Sequence, residues 1–289
     1  NGKKTSIFDK LIVKITKLPV YLIKSISLKN FRVLTNSKNL IFINESSFIS
    51  FLPFIIICKK FYKPNVIFFP MGLVDKYLEG NWLSKKIINL SFKFADSVLF
   101  IGKGEQLYAE KNFSNYSNKF SYIPFSIDIG YWVYKPKIQP RLKELLFIGN
   151  DQNRDFKLLF SIAKTHQDYN FTIVSNFDNN NFSDLQNVKF LQGNLRDDIL
   201  SDNQILELYH NADLVILPLK TSTQPSGQSV AIQSMSSGTP VLMTKTKGFW
   251  DIGKYIDSKN IFFVKKIIIL NSSASTVKNN YFCCANIFR

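Results

Sequence analysis

The sequence predicts an α/β protein built from two doubly wound domains that face a cleft. Short apolar runs rich in β-branched and aromatic residues alternate with amphipathic segments in both halves, a pattern typical of parallel sheets. The chain has 289 residues, more than the ~100–200 usual for one domain, and 45% of them are hydrophobic. The stretch YWVYKPKIQP at 131–140 has two prolines and no periodicity, so it is the best candidate for a linker.

The first half contains four predicted strands with helical segments between them. The predicted strands are LIFIN at 40–44, VIFFP at 66–70, SVLFIG at 97–102 and FSYIP at 120–124. The predicted helices lie near residues 48–61, 83–94 and 104–113. Strands that alternate with helices favour a parallel sheet, and we assign residues 1–138 to this first domain.

The second half repeats the alternation. Its predicted strands are ELLFIG at 144–149, NFTIVS at 170–175, VKFLQG at 188–193, DLVILP at 213–218, PVLMT at 240–244 and NIFFV at 260–264. Its predicted helices lie near residues 154–166, 203–211 and 229–237. We assign residues 139–264 to a second domain and residues 265–289 to an atypical tail.

The loop QPSGQSVAIQSMSSG follows one of these strands, at the sheet edge where open α/β sheets bind ligands. Gly227 can adopt backbone angles closed to other residues, and Ser229 is predicted to begin a helix whose N–H groups favour an anion such as phosphate. Ser229 and Gln233 share one helical face, opposite a predicted inward face, and Gly238 ends the helix. The inward face consists of Val230, Ile232 and Met235. An ordinary loop–helix–strand connection is the alternative.

A second polar turn, NDQNRD at 150–155, follows the strand ELLFIG. Arg154 is predicted to open the next helix, and its planar guanidinium suits a diphosphate because it donates to two oxygens at once. A solvated surface arginine is the alternative. Redox dinucleotide and P-loop sites are disfavoured, because IGKGEQ at 101–106 lacks a third glycine and no G-x-x-x-x-G-K-[ST] occurs.

The basic residues concentrate in the first half, which carries most of the net charge of +16. Four lysines are predicted to line one helical face, opposite apolar residues, until Pro19 ends or kinks the helix. The lysines are Lys10, Lys14, Lys17 and Lys24, and the apolar residues are Leu11, Ile12, Ile15, Leu18 and Leu22. This face suits peripheral contact with an anionic membrane. A solvated lysine face is the alternative, and nucleic acid is disfavoured because no recognition motif occurs.

Neither a membrane span nor a secretory signal is predicted. The longest apolar stretch, FISFLPFIIIC at 48–58, contains a proline and is shorter than the ~20 residues that a transmembrane helix needs. The cysteines and histidines show no metal-ligand spacing, so we expect no metal and a reducing, cytoplasmic location, at most peripheral at the inner membrane face. These residues are Cys58, Cys283, Cys284, His166 and His210. The absence of an initiator Met predicts missing upstream residues.

The order of motifs in residues 144–253 resembles the donor-binding domain of GT-B glycosyltransferases, most closely the family-4, retaining type. These motifs are FIGN…R, NVKFLQGNL, ELYHNADLVILPL, SGQSVAIQSMSSGTPVLMT and KGFWD. The first half resembles the Rossmann-like acceptor domain of the same family through a second set of motifs. These are KPNVIFFPMG at 63–72, ADSVLFIGKGEQL and KFSYIPFSIDIGYW at 119–132.

The resemblance implies a hexosyltransferase of polysaccharide biosynthesis that moves a sugar from a nucleotide diphosphate donor to a glycan or lipid-linked acceptor, with no cofactor. The implied donor-binding residues are Gly149, Asn150, Arg154, Ser226, Gly227, Gln228, Ser229 and Gln233. Gly72 and Asp75 are implied on the acceptor side.

Two departures from the family pattern leave the catalytic residues unassigned. The family has two glutamates with seven residues between them, and here Gln233 and Pro225 stand at those positions, the latter beside Gln224. The first half has no histidine, which agrees with a retaining transfer; an inverting mechanism would need a carboxylate base. The candidates for that base are Asp75, Glu79, Glu45 and Glu105. A non-catalytic nucleotide-sugar-binding protein stays open, as does a GT-B epimerase, which would need acidic and histidine groups in its cleft.

The stretch KKIIILNSSASTVKNNYFCCANIFR, which ends the chain, shows no helical periodicity. The family would supply an amphipathic helix and a final helix that crosses back to the first domain. We therefore expect a truncated or frame-shifted tail, the alternative being a divergent native segment.

Overall fold

The computed structural model describes residues 6–136, 142–177, 182–193, 199–248 and 261–264. The chain forms two compact units. The first comprises Asn1–Pro124 with the short segments Ser222–Pro225 and Lys247–Trp250, and the second comprises Phe125–Thr221, Ser226–Thr246 and Asp251–Arg289. The predicted tail at 265–289 and the linker residues 137–140 lie outside the described residues.

The first unit carries a parallel sheet of four strands in the order β1-β2-β3-β4. The strands are β1 Asn39–Phe42, β2 Asn65–Phe68, β3 Ser97–Phe100 and β4 Phe120–Tyr122. The helices are α1 Ile7–Thr16, α2 Leu22–Ser25, α3 Leu28–Asn36, α4 Glu45–Phe61, α5 Leu73–Leu78, α6 Trp82–Phe94 and α7 Lys103–Asn112, and a 3₁₀ helix covers Ser114–Lys119.

The core of the first unit is aromatic. Phe48 of α4 stacks on Phe68 of β2 with ring centroids 4.2 Å apart, and Phe92 of α6 packs edge-on against Phe113 at 4.6 Å. The side chain of Asn44 caps α4, and that of Asn81 caps α6. Each accepts a hydrogen bond from the backbone N–H three residues further along the chain. The predicted strands and helices of this half are thereby confirmed to within a few residues.

The second unit carries a parallel sheet of six strands in the order β10-β9-β8-β5-β6-β7. The strands are β5 Glu144–Ile148, β6 Asn170–Ser175, β7 Val188–Gln192, β8 Leu214–Leu217, β9 Val241–Thr244 and β10 Ile261–Val264. The helices are α8 Phe156–Thr165, α9 Asp202–Asn211 and α10 Gln228–Ser236. Every residue of β8 and β9 is buried, as expected for central strands covered on both faces.

The predicted fold class, an α/β protein with two parallel sheets, is confirmed. In the second sheet the strand order reverses between β5 and β8, and open α/β sheets bind ligands at the carboxyl ends of the strands at such a point. This switch point positions the candidate site described below.

Two local predictions in the second unit are wrong. Helix α8 begins at Phe156 rather than Arg154, because the Asp155 side chain accepts the N–H of Leu158 and caps the helix one residue later than expected. In α10, Ile232 and Met235 are only half-buried. The buried face of α10 is instead formed by Gln228, Val230, Ala231 and Ser234.

Helix α1 also differs from its prediction. It ends at Thr16, before Pro19, with Lys17 in the left-handed region at φ 53°. Its buried residues are Asp9 and Thr16, whereas Leu11 and Ile15, predicted to lie on the face opposite the lysines, are each 52% exposed. A polar contact explains why α1 buries this face: the Asp9 carboxylate accepts the N–H of Ile23 at 3.2 Å. No helix in the described part of the chain is long and apolar enough to cross a membrane.

Candidate functional site

The loops that follow β5 and β8 are joined by backbone hydrogen bonds at the switch point. Arg154 and Leu219 form an isolated antiparallel bridge. The N–H of Asp155 donates to Pro218 O at 2.9 Å, and the N–H of Lys220 donates to Asn153 O at 2.8 Å. The bridge holds Arg154 directly at the carboxyl edge of the two central strands.

Arg154 is buried, with only 4% of its side chain exposed. Its Nη2 lies 3.6 Å from Asp151 Oδ2, a long and partly exposed ion pair. Its Nε and Nη1 have no hydrogen-bond partner among the residues that the structure describes. Burial lowers the pKa of Arg154, and the nearby Asp151 carboxylate opposes that effect. A guanidinium with two unsatisfied donors is costly in a buried position, so an anion is the natural missing partner.

Two glycines make room for the guanidinium. A β-carbon at residue 149 would lie 2.1 Å from Arg154 Nε, and one at residue 227 would lie 3.0 Å from Arg154 Nη1. Gly227 also has φ 85°, in the left-handed region that favours glycine. Both positions therefore require glycine while Arg154 keeps this place.

Helix α10 begins immediately beside the guanidinium. Gly227 is its N-cap, and glycine has no side chain that could accept a first-turn N–H. Ser226, which is buried, accepts a bond from Asn153 Nδ2 at 2.9 Å. Gln228 is buried and Ser229 is half-buried. The positive end of the helix dipole and the Arg154 charge thus lie at the same point, where they favour an anion.

Gln233 lies one turn further along α10 and is half-buried. Its Oε1 accepts the hydroxyl of Tyr209 at 3.1 Å. Tyr209 is fully buried on α9, and burial raises its pKa, which keeps the hydroxyl protonated and able to donate. This bond fixes the amide of Gln233 with its oxygen toward Tyr209.

Asn150 braces the ends of three strands. Its Oδ1 accepts the hydroxyl of Ser175 at 2.9 Å and the N–H of Asn176, and its Nδ2 donates to Gly193 O at 3.1 Å. The structure therefore gives Asn150 a positioning role in the loops after β5, β6 and β7. Ligand binding by Asn150 stays a prediction.

The predicted acceptor-side residues lie in the first unit. Gly72, at φ 84°, donates its N–H to Glu105 Oε1 at 2.8 Å. Asp75 Oδ2 accepts the hydroxyl of Ser222 at 2.7 Å and the N–H of Thr223 at 2.8 Å. The carboxylate of Asp75 is thus engaged with the Ser222–Pro225 segment that clusters with this unit.

Two of the other three carboxylates considered as bases are also constrained. Glu45 forms a 2.6 Å ion pair with Lys76 and accepts the N–H of Met71. Glu105 is fully buried, and burial raises its pKa from 4.5 to about 8. Glu79 is exposed at the end of α5.

The structure brings the second-unit candidates together around α10 and the switch point. Tyr209, Asp151 and Asn153 contact these candidates and were not anticipated, because nothing in a single sequence separates a buried Tyr209 from its neighbours in ELYHN. No group of three or more histidine, cysteine or acidic residues in the described ranges is placed to hold a metal ion.

The fold matches solved structures at low identity. HepE from Anabaena, in complex with UDP-glucose, is 16% identical, with 82% of this chain and 67% of that chain covered and a TM-score of 0.60. WaaG, a glycosyltransferase involved in lipopolysaccharide biosynthesis, is 15% identical, with 74% and 68% covered and a TM-score of 0.53. The apo form of WaaB, a lipopolysaccharide outer core galactosyltransferase, is 16% identical, with 80% and 64% covered and a TM-score of 0.51.

No family model and no curated protein matches the sequence. At these identities the structural likeness shows the fold, which is the α/β fold with two parallel sheets found in GT-B glycosyltransferases.

Proposed function

We propose that this chain is a GT-B glycosyltransferase of the family-4, retaining type, which transfers a hexose from a nucleotide diphosphate sugar to a glycan or lipid-linked acceptor. The observation that carries the proposal is the buried guanidinium of Arg154, with two unsatisfied donor nitrogens beside the uncapped start of α10. A lipid-linked acceptor would bring the enzyme to the anionic surface of a membrane in polysaccharide biosynthesis.

Arg154 is proposed to act on the diphosphate mainly through its charge. Its Nε and Nη1 are shielded from solvent, so water screens its field little, and an anion at the start of α10 would feel that field strongly. The backbone N–H groups of the α10 first turn would hold the phosphate oxygens. Gly227, Gln228 and Ser229 are the residues of that turn.

The rest of the nucleotide sugar is assigned to side chains of the same unit. Gln233 is proposed to bind the ribose hydroxyls with its amide nitrogen, since Tyr209 already occupies its oxygen. Support for a nucleotide donor comes from HepE, whose solved complexes contain UDP and UDP-glucose.

The proposed chemistry requires stabilisation of the leaving group. As the bond between sugar and diphosphate breaks, negative charge grows on the diphosphate, and a fixed cation with oriented N–H groups stabilises that charge without reorganising. The retaining mode is favoured because three of the four carboxylates considered as inverting bases are engaged or buried, the exception being the exposed Glu79. Asp75 binds Ser222 and Thr223, and Glu105 is fully buried.

The test is a panel of nucleotide sugars in which binding is followed by calorimetry and turnover by nucleoside diphosphate release. We expect one donor class to bind and to release diphosphate when acceptor is present. The variant Arg154→Met should bind that donor at least about tenfold more weakly, since it loses a charge-assisted contact. Lys157→Met, which removes an exposed cation three residues away on α8, is the matched control and should bind as the parent does.

A non-catalytic nucleotide-sugar-binding protein is the second candidate. It is favoured by Gln233 and Pro225, which stand where the family has glutamates. Donor binding without diphosphate release, across a panel of glycan and lipid-linked acceptors, would support this candidate over the transferase. An Arg154→Met variant that binds donor as tightly as the parent would contradict both.

A further inference from the structure

Helix α1 exposes an apolar stripe. Ile7 is 88% exposed, Phe8 53%, and Leu11 and Ile15 are each 52% exposed. The spacings of three and four residues place these side chains on one face of the helix. A water-facing helix normally shows the opposite arrangement, so this stripe indicates a surface that contacts something apolar.

Polar contacts hold α1 in this orientation. Its buried side carries Asp9, whose carboxylate accepts the N–H of Ile23, and Thr16, whose hydroxyl accepts the N–H of Leu18 at 3.2 Å. Asn30 of α3 donates to Ser25 O of α2 at 2.9 Å. Helices α1 and α2, and α2 and α3, are thus joined by side-chain hydrogen bonds, and the exposed apolar side chains of α1 are not needed to dock it.

Basic residues border the apolar ones. Lys10 and Lys14, which are exposed, follow at a spacing of four along one edge of the α1 stripe, and the exposed Lys17 stands at the C-cap of the helix. Helix α3 repeats the combination on a smaller scale: Leu28 and Phe31 are exposed, and Lys29 and Arg32 follow each of them by one residue.

The charged residues of this part of the chain are basic, with one exception. Asp9 is the only acidic residue between residues 6 and 44, and it is buried. The occupant of this surface must therefore combine an apolar interior with negative charge at the height of the lysine ammonium groups. An anionic bilayer has this layering, with phosphates above acyl chains, and long lysine side chains can reach the phosphates while their stems cover apolar surface.

We propose that the exposed residues of α1 and α3 form a membrane-docking surface for an anionic lipid bilayer. Ile7, Phe8, Leu11 and Ile15 enter the boundary between headgroups and acyl chains, while Lys10 and Lys14 bind lipid phosphates. The surface differs from the lysine face expected on sequence grounds, because the apolar residues share the docking side with the lysines. The proposal does not rest on the transferase activity.

The experiment is co-sedimentation of the full chain with vesicles of phosphatidylcholine alone or mixed with phosphatidylglycerol. The parent should bind the mixed vesicles, bind phosphatidylcholine weakly, and lose binding as salt is added. The double variants Leu11→Ser/Ile15→Ser and Lys10→Ser/Lys14→Ser should each bind about tenfold more weakly or worse. All four positions are exposed, so both variants should keep the parent's circular dichroism and melting temperature.

Matched controls lie elsewhere on the molecule. Leu107→Ser removes an apolar side chain that is 53% exposed on α7, and Lys157→Ser/Lys164→Ser removes two exposed lysines from α8. Both controls should bind as the parent does. Equal binding to neutral and anionic vesicles, or equal losses in the controls, would overturn the proposal.

A second copy of this chain is the competing occupant. A parent that dimerises by light scattering, and that Leu11→Ser/Ile15→Ser converts to a monomer without loss of vesicle binding, would overturn the membrane assignment. Calorimetry of donor binding should be unchanged in every α1 variant, so failure here is distinguishable from failure of the proposed donor site.

Discussion

Arg154 Nε occupies the space that a side chain at Gly149 would fill. A β-carbon at residue 149 would lie 2.1 Å from this nitrogen. The two residues are joined by the turn after β5, and Gly149 is buried. The glycine therefore sets the position of the guanidinium, and through it the charge at the start of α10.

We expect Gly149→Ala to reduce donor binding to the level of an Arg154 variant. The new methyl group forces the buried arginine out of its place, and overpacking of this kind costs about 1–3 kcal/mol of stability. Calorimetry with the best donor and urea denaturation measure the two effects. Gly130→Ala is the control, because a β-carbon there meets only a flexible Asp128 side chain at 3.2 Å. Unchanged donor affinity in Gly149→Ala would refute the link between these residues.

Arg154→Met should change folding stability and donor binding in opposite directions. In the absence of ligand the buried guanidinium leaves Nε and Nη1 unsatisfied, so its replacement by an apolar chain of similar length should raise the free energy of unfolding, by roughly 1–2 kcal/mol. Donor binding should fall at least about tenfold because the charge is lost. Denaturation of the ligand-free protein and calorimetry test the two signs separately. A variant less stable than the parent would show that Arg154 is a structural residue whose donors are satisfied in solution.

The strands were predictable because buried parallel strands leave a strong local signal. DLVILP and PVLMT each contain a run of consecutive apolar residues, and both contain fully buried central strands. The burial of Arg154 was not predictable, because it depends on the bridge to Leu219, a residue 65 positions further along the chain. Local patterns carry no information on such long-range pairing, and an arginine in a polar turn has the same local signature whether it is exposed or buried.

The same limit applies to the hydrogen-bond partners of the polar candidates. Asn150 and Asp75 are predicted to bind ligands, and that stays a prediction. In the fold Asn150 braces Ser175 and Gly193, and Asp75 binds Ser222 and Thr223. Their hydrogen-bond partners come from other loops and could be identified only in the folded chain.

The free energy of unfolding should fall between about pH 4.5 and pH 8 because of Glu105. Burial raises the pKa of this carboxyl to about 8 in the folded protein, from an ordinary value of 4.5. The folded state therefore binds the Glu105 proton more tightly than the unfolded state does. The stabilisation of the fold by this proton is complete below pH 4.5 and is lost as pH rises through 8. The slope has a maximum of ~1.4 kcal/mol per pH unit.

The matched variant for this prediction is Glu105→Gln, which keeps the acceptor for Gly72 and cannot ionise. Urea denaturation at several pH values should show a flatter profile for the variant than for the parent over that window. Parallel profiles would mean that Glu105 is ionised in the folded protein at neutral pH.

Gln233→Glu should preserve the fold and keep donor affinity within a few-fold of the parent, or improve it. A carboxylate at this position can still accept the Tyr209 hydroxyl, and it would add a charged acceptor for ribose hydroxyls. Thermal melting and calorimetry check the two statements, with Gln233→Leu as the comparison that removes both polar atoms. A tenfold loss in Gln233→Glu would show that the amide nitrogen itself is required.

Lys119→Met should destabilise the first unit by about 1–3 kcal/mol. Its Nζ donates to three carbonyl oxygens at the end of α6, those of Phe92, Lys93 and Ala95, at 3.2, 2.9 and 2.8 Å. Methionine keeps the apolar stem and removes the donors. Lys111→Met, at an exposed position on α7, is the control for the loss of charge. Equal denaturation midpoints for the two variants would argue against this capping role.

The backbone bridge between the loops after β5 and β8 also bears on the kinetics of ligand capture. The N–H groups of Asp155 and Lys220 donate across it to Pro218 and Asn153, so neither loop can open without breaking bonds to the other. Their amide protons should exchange slowly with deuterium even in the absence of ligand, on the timescale of the central strands rather than of surface loops. A donor would then meet an anion site that is already assembled, and little of its binding free energy would be consumed in ordering the chain.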